Sequence, residues 1–210
     1  MLTDHQSIKR PKMQRADRRQ AIVSAATRLF AERGFRGVTT RQIAAEVGVS
    51  EPVLYEHFKT KRDLYDAIID ACSREGVSKA ERLLAEQAQG ADDHGYFIQL
   101  GQLILEFTER NPEFMRLNLY SSLERHELAD ISFERHVRSL YKMLREHVER
   151  RIAAGAFRPI DPMLAARAFV SMVYQYGLYE ITLGFRLLEM GRDEVLEGMV
   201  DIFLNGVTRK

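Results

Sequence analysis

The 210-residue chain is 45% hydrophobic, ample for one compact body or two small ones, with a formal net charge of +1 at pH 7. It has no apolar run long enough to span a membrane, no apolar signal core behind its basic start and a single cysteine, which excludes a helical membrane span and an internal disulfide and predicts a cytoplasmic protein. The near-neutral total hides an asymmetry: residues 1–65 hold 13 Lys and Arg against 7 Asp and Glu, and residues 66–210 hold 18 against 23, so a basic head of +6, suited to phosphates, sits on an acidic body of −5.

Residues 1–15 carry Lys9, Arg10, Lys12 and Arg15 with no apolar period. They read as a mobile basic arm, either touching a phosphate backbone or minor groove or remaining a solvated tail. Residues 16–33 place Ile22, Ala26, Leu29 and Phe30 on one face and Arg18, Arg19 and Arg28 elsewhere, which predicts an amphipathic helix stopped by Gly34. Phe35 is expected to pack beneath the next element and close a three-helix core.

That element is Thr39 to Asp63, TTRQIAAEVGVSEPVLYEHFKTKRD. Thr39 and Gln42 have the spacing of a capping box, so a helix starts here. Ile43 and Val47 form its apolar stripe, and Ala44 is small enough for close approach of a second helix. Gly48 ends it, because glycine alone enters the left-handed region without penalty. Ser50 is placed to cap a second short helix with Pro52 in its first turn. Leu54 and Phe58 face the first helix, which leaves Glu51, Pro52, Val53, Tyr55 and His57 on the other faces. This is the pattern of a helix-turn-helix whose second helix enters a major groove. Thr60 and Asp63 start a third helix, and Lys61 at its N-terminus makes a phosphate site.

From Lys61 to about residue 87 the pattern is one long helix, through Leu64, Tyr65, Ile68, Ile69 and Cys72. Nothing marks Cys72 as activated, so it reads as a small packed side chain rather than a redox sensor. Gly76 is expected to permit a bend. Residues 90–95, GADDHG, read as a loop. Tyr96 to Arg110 reads as a helix, and Asn111-Pro112-Glu113 starts another that carries Phe114 to Tyr120. Further helices are expected over 128–154, ended by Gly155, over 161–183 from Asp161-Pro162, and over 193–205. No strand alternation appears, so the fold class is all-α, in three parts: the arm 1–15, a helix-turn-helix domain 16–60 and a helical body 61–210.

Enzyme signatures are absent: no glycine-rich phosphate loop, paired-cysteine motif or nucleophile elbow. His126, Glu127, Asp130 and Glu134 have helical spacing compatible with a metal-binding face. The whole segment is charged, so a solvated face is the better reading, and no metal, cofactor or enzymatic activity is predicted.

Residues 17–66 resemble the N-terminal DNA-binding domain of TetR-family transcriptional regulators. The resemblance rests on LFAERGF at the end of the first helix, then TTRQIAAEVGVS, then LYEHF, KTK and RDLY, without a gap. The rest of the chain resembles that family only in length and helical pattern. The resemblance implies phosphate contacts for Tyr55 and Lys61, aided by Thr40 and His57, along a surface running from Ser50 to Lys61. Glu51, Pro52 and Val53 then face base edges: Glu51 accepts from a cytosine amino group or merely supports the helix dipole, and Pro52 and Val53 meet a thymine methyl. Arg41 and Gln42 add backbone or edge contacts.

In the body, the resemblance implies a cavity for a small lipophilic effector, lined by Phe107, Phe114, Met115, Leu119, Tyr120, Phe133, Tyr141, Phe169, Met172, Tyr174 and Tyr176. It also implies a homodimer through the last two helices, which sets two reading helices about one DNA turn apart on a palindromic operator. The function expected is a ligand-responsive repressor of cytoplasmic DNA. The alternative is a constitutive DNA-binding regulator with a filled core and no effector.

Overall fold

The computed structural model describes residues 14–72, 92–124, 130–131 and 133–208. Helix α1, Arg15–Arg33, buries Ile22, Val23, Ala26, Leu29 and Phe30 along one stripe and ends at Gly34, whose φ of 71° and ψ of 165° suit glycine alone. Helix α2, Thr40–Val47, starts with both halves of the Thr39–Gln42 capping box. It stops at Gly48 (φ 76°, ψ 31°), where Val49 N–H donates to the Ala44 carbonyl at 2.9 Å and turns the chain inward.

Helix α3, Glu51–His57, follows with Pro52 in its first turn. Ser50 occupies its N-cap but makes no side-chain cap bond, contrary to the expectation; the short helix is held by tertiary contacts instead. Helix α4 is described over residues 61–72. Its start is closed reciprocally, Thr60 N–H to Asp63 Oδ2 and Asp63 N–H to Thr60 Oγ1, both at 3.0 Å. Gly76 and the expected bend lie outside the described residues.

The body holds α5 (Asp93–Arg110), α6 (Pro112–Leu123), α7 (Arg138–Ala153), α8 (Pro162–Tyr176) and α9 (Arg192–Val207). Helix α5 begins inside the stretch expected as a loop, because Asp92 accepts from Gly95 N–H at 2.9 Å and caps its first turn. Asn111 precedes α6 as expected, yet its side-chain amide donates back to the Phe107 carbonyl at 2.8 Å and closes α5. Two of the expected helices are not regular throughout. Phe133–Val137 forms a π turn ahead of α7, and Gly177–Thr182 forms another after α8. Among the described residues the one strand-like feature is an isolated bridge between Phe157 and Thr208.

Two cores hold these helices. The first joins α1 to α4 and includes Phe114, Met115 and Leu117 of α6. Phe35 packs at a tilt against Phe30 and edge-on against Tyr65, as expected, but three helices do not complete this core: α6 packs on α1 and covers it. The second core joins α5, α7, α8 and α9 around Phe97, whose ring lies 4.8 Å from Phe169 and 4.7 Å from Phe203. Gly101 lets α5 and α9 approach, since a Cβ there would fall 2.3 Å from Leu196 Cδ1.

Candidate nucleic-acid interface

The turn between α2 and α3 brings Thr40, at the start of α2, beside the first turn of α3. Thr40 Oγ1 donates to Glu51 Oε1 at 2.6 Å and lies 3.2 Å from the Tyr55 hydroxyl. One hydroxyl therefore ties the two helices together. Tyr55 remains 45% exposed, an aromatic side chain on the outward face of a short helix. Pro52 and Arg41 are exposed and Val53 is half-buried. Gln42 faces outward, with its carbonyl oxygen accepting from Thr39 N–H at 2.8 Å, so its cap role already engages that end. Glu51 sits in the first helical turn, where its charge also favours the dipole; Thr40 occupies its Oε1 and so orients the carboxylate, whose other oxygen can still accept.

Lys61 departs from the expected outward orientation. Its ammonium donates to the Phe35 carbonyl and lies 4.1 Å from the Phe35 ring centre and 5.4 Å from that of Phe30. Burial lowers its pKa, opposed by the Glu124 carboxylate. Two aromatic rings and the Phe35 carbonyl offer the ammonium more than the α4 N-terminus does, and spacing within 61–63 carries no sign of that.

A second cationic cluster borders the reading helix. Arg15, Arg18 and Arg19 occupy the first turns of α1, and the Arg19 guanidinium lies 4.7 Å over the ring of Phe58, the residue that ends α3. Half-buried His57 is held below the usual imidazole range by burial and then by Arg15, Arg18 and Arg19, with Glu56 opposing. Arg28 pairs with Glu46 across α1 and α2.

The head is joined to the body at α6. The Tyr65 hydroxyl meets Ser121 Oγ at 3.3 Å, and a Cβ on Gly34 would stand 2.7 Å from Glu124 Oε1. Neither Ser121 nor Glu124 carried a sequence signal, because both partners lie over fifty residues away in sequence.

The residues expected to line one effector cavity divide between the cores. Phe114 and Met115 are buried in the first, with Phe107 and Tyr174 packed on it. Phe169 is fully buried in the second, with Tyr141, Met172 and Tyr176 against it. Leu119 is half-buried, and Tyr120 and Phe133 are exposed. Burial raises the Tyr141, Tyr174 and Tyr176 pKa values. Apolar content marked Phe114, Met115 and Phe169 as inward-facing, but it could not say which core each would join. Cys72 is packed on the first core, its thiol pushed up to about 11 by burial, which keeps it protonated.

His126 and Glu127 lie outside the described residues. Glu134 bonds Arg138 at 2.7 Å, and no group of three His, Cys, Asp or Glu among the described residues is placed to hold a metal. No helix among them is long and apolar enough to cross a membrane. Unforeseen was a polar cluster at the edge of the second core, in which His147 is buried and Asp93 and Arg151 are partly buried. Arg151 pairs with Asp93 through Nε and a terminal nitrogen at 3.0 and 2.8 Å, and His147 Nε2 lies 3.3 Å from the other Asp93 oxygen. The His147 ring stacks on Tyr96 at 3.8 Å.

Residues 22–68 match the model of bacterial regulatory proteins of the tetR family, and residues 98–206 match that of the AefR-like transcriptional repressor C-terminal domain. This chain belongs to the TetR family of transcriptional regulators. Nucleoid occlusion factor SlmA of Vibrio cholerae is 32% identical over 163 residues, covering 75% of this chain and 80% of that protein. The fold is shared with the ketosteroid transcriptional regulator KstR2 of Mycobacterium tuberculosis (22% identity, TM-score 0.67, 96% of this chain and 100% of that one). It is shared also with AibR, solved with isovaleryl coenzyme A and operator DNA (24% identity, TM-score 0.64, 88% and 97%). A TetR-family chain with this helix-turn-helix is a DNA-binding regulator.

Proposed function

We propose that this TetR-family regulator is a repressor that binds a palindromic operator as a homodimer and is released by a small lipophilic effector held in its helical body. The observation that carries this reading is the sharing of one core by α6 and the head: Phe114, Met115 and Leu117 pack with residues of α1 to α4. Close-packed interiors transmit displacement rather than absorb it, so an effector that moves α6 shifts α1 and α4 with it. The effector must bind the DNA-free arrangement more tightly than the DNA-bound one, or nothing changes. AibR, crystallised with an acyl coenzyme A and operator DNA, supports the pairing of the two ligand classes on this fold.

On the DNA, Tyr55, Thr40 and His57 face phosphates, and Pro52 and Val53 face base edges beside Glu51, with Arg41, Gln42 and Ser50 flanking them. Lys61 reaches a phosphate only by leaving the Phe35 carbonyl. The dimer forms through α8 and α9, where Leu164 and Ile202 are 59% and 69% exposed. A two-fold pair then sets the reading helices about 34 Å apart.

Selecting bound fragments from the source genome and footprinting them tests the operator reading; a protected palindrome is expected, and fragments without common sequence would reject it. A thermal-shift screen of lipophilic compounds on the same protein tests the effector. Stabilising compounds should also weaken operator binding. The second reading, a constitutive regulator, is favoured by the complete burial of Phe169 and by the similarity to a nucleoid occlusion factor. It predicts that no compound shifts both quantities.

A further inference from the structure

The cluster at the junction of α1 and α3 assigns itself a ligand by its chemistry. Arg15, Arg18 and Arg19 stand at i, i+3 and i+4 on the first turns of α1, so their side chains share one face. Arg19 over the Phe58 ring pins that face to the end of α3, and His57 is the last residue of α3. Phe58 itself is 2% exposed, so it anchors the junction without presenting its own surface. The charged groups facing His57 are Arg15, Arg18 and Arg19 from α1 and Glu56 from its own helix. Guanidinium groups beside an imidazole, at the edge of a reading helix, match a phosphodiester: forked donors for its oxygens, and a ring that donates from both nitrogens once protonated.

We propose that a backbone phosphate of bound duplex DNA seats between Arg15, Arg18, Arg19 and the His57 imidazole, and that His57 takes up a proton from solvent as it does so. The inference rests on the reading that the α3 face meets DNA. In the free protein burial first, and then the three cations, oppose a charge on His57. A phosphate monoanion seated against the ring offsets that repulsion and accepts from the imidazolium, which favours the charged form. Binding that takes up one proton strengthens as pH falls, by at most about tenfold per pH unit. The regulator thus holds DNA more tightly in a mildly acidified cytoplasm, across the range where histidine alone among unperturbed side chains titrates.

The test uses the full chain and a mixed-sequence duplex of about 30 base pairs, because phosphate contacts are independent of sequence. Affinity is measured at fixed low salt from about pH 8 to about pH 6. We expect a several-fold gain for the natural protein and no pH dependence for His57→Gln. The imidazole resonance of His57, followed by NMR in the natural protein, should titrate higher with duplex than without it. In the Arg15→Gln/Arg18→Gln protein it should titrate higher even without duplex. Duplex binding that is flat with pH, or a slope kept by His57→Gln, or a His57 titration unmoved by duplex would overturn the inference and leave the DNA-binding face standing. Absence of duplex binding at every pH would overturn both.

Discussion

The ammonium of Lys61, at the start of α4, donates to the carbonyl oxygen of Phe35, within the turn that follows α1. It thereby fastens the start of α4 to the end of α1 through a contact 26 residues apart in sequence. Replacing Lys61 by Met keeps the aliphatic stem but removes the donor and the cation over the two rings. Urea denaturation should show a loss of about 1–2 kcal/mol, the sum of a hydrogen bond and a modest cation–π contact. No loss would mean that the ammonium has no net structural role.

Thr40 and Tyr55 separate structure from recognition. Thr40→Val leaves Glu51 without its hydroxyl partner, which should cost about 1 kcal/mol of stability. Tyr55→Phe removes a phenol that is largely exposed, so stability should change by less than about 0.5 kcal/mol. Its duplex affinity should fall several-fold with an unchanged salt slope, because a neutral donor releases no counterion. Affinity titrations at several salt concentrations check both halves of this expectation.

His147 makes the fold sensitive to acid. Burial is the largest cause holding its pKa down to about 4, against the pull of Asp93 and with Arg150 and Arg151 adding to the depression. The unfolded chain, with an ordinary imidazole near 6.5, binds the proton more readily. Stability from this group is therefore fully present above about pH 6.5 and is lost progressively as pH falls toward about 4. Denaturation midpoints should decline over that window. His147→Gln should start lower, having lost the stacked ring, but should decline less steeply.

Gly34 is required by both its backbone and its surroundings. Its φ of 71° with ψ of 165° lies where side chains are strained, and a Cβ would stand 2.7 Å from Glu124 Oε1. Gly34→Ala should destabilise the protein by about 1–3 kcal/mol. Gly34→Ala combined with Glu124→Ala should recover the steric part only. Equal loss in the single and double proteins would assign the whole cost to the backbone.

Much of the head was legible beforehand because its signals are local. The capping boxes at Thr39–Gln42 and Thr60–Asp63, the left-handed Gly48 and the stop at Gly34 each involve groups within four residues, so composition and spacing suffice to read them. The family resemblance rests on the same stretch. Apolar periodicity likewise placed Ile22, Leu54, Leu64 and Phe169 inside.

What the amino-acid sequence determined alone, then, was the helical class, the helix-turn-helix and the sign of its charge. Only the tertiary structure decided that Lys61 turns inward, that Thr40 bonds Glu51, that α6 completes the core of the head, and that the aromatics of the body belong to two cores. Each of these joins groups from different helices. Spacing along a chain reports which face of a helix is apolar, whereas the neighbour that covers that face is chosen by three-dimensional packing, where volume and polar satisfaction must be met at once.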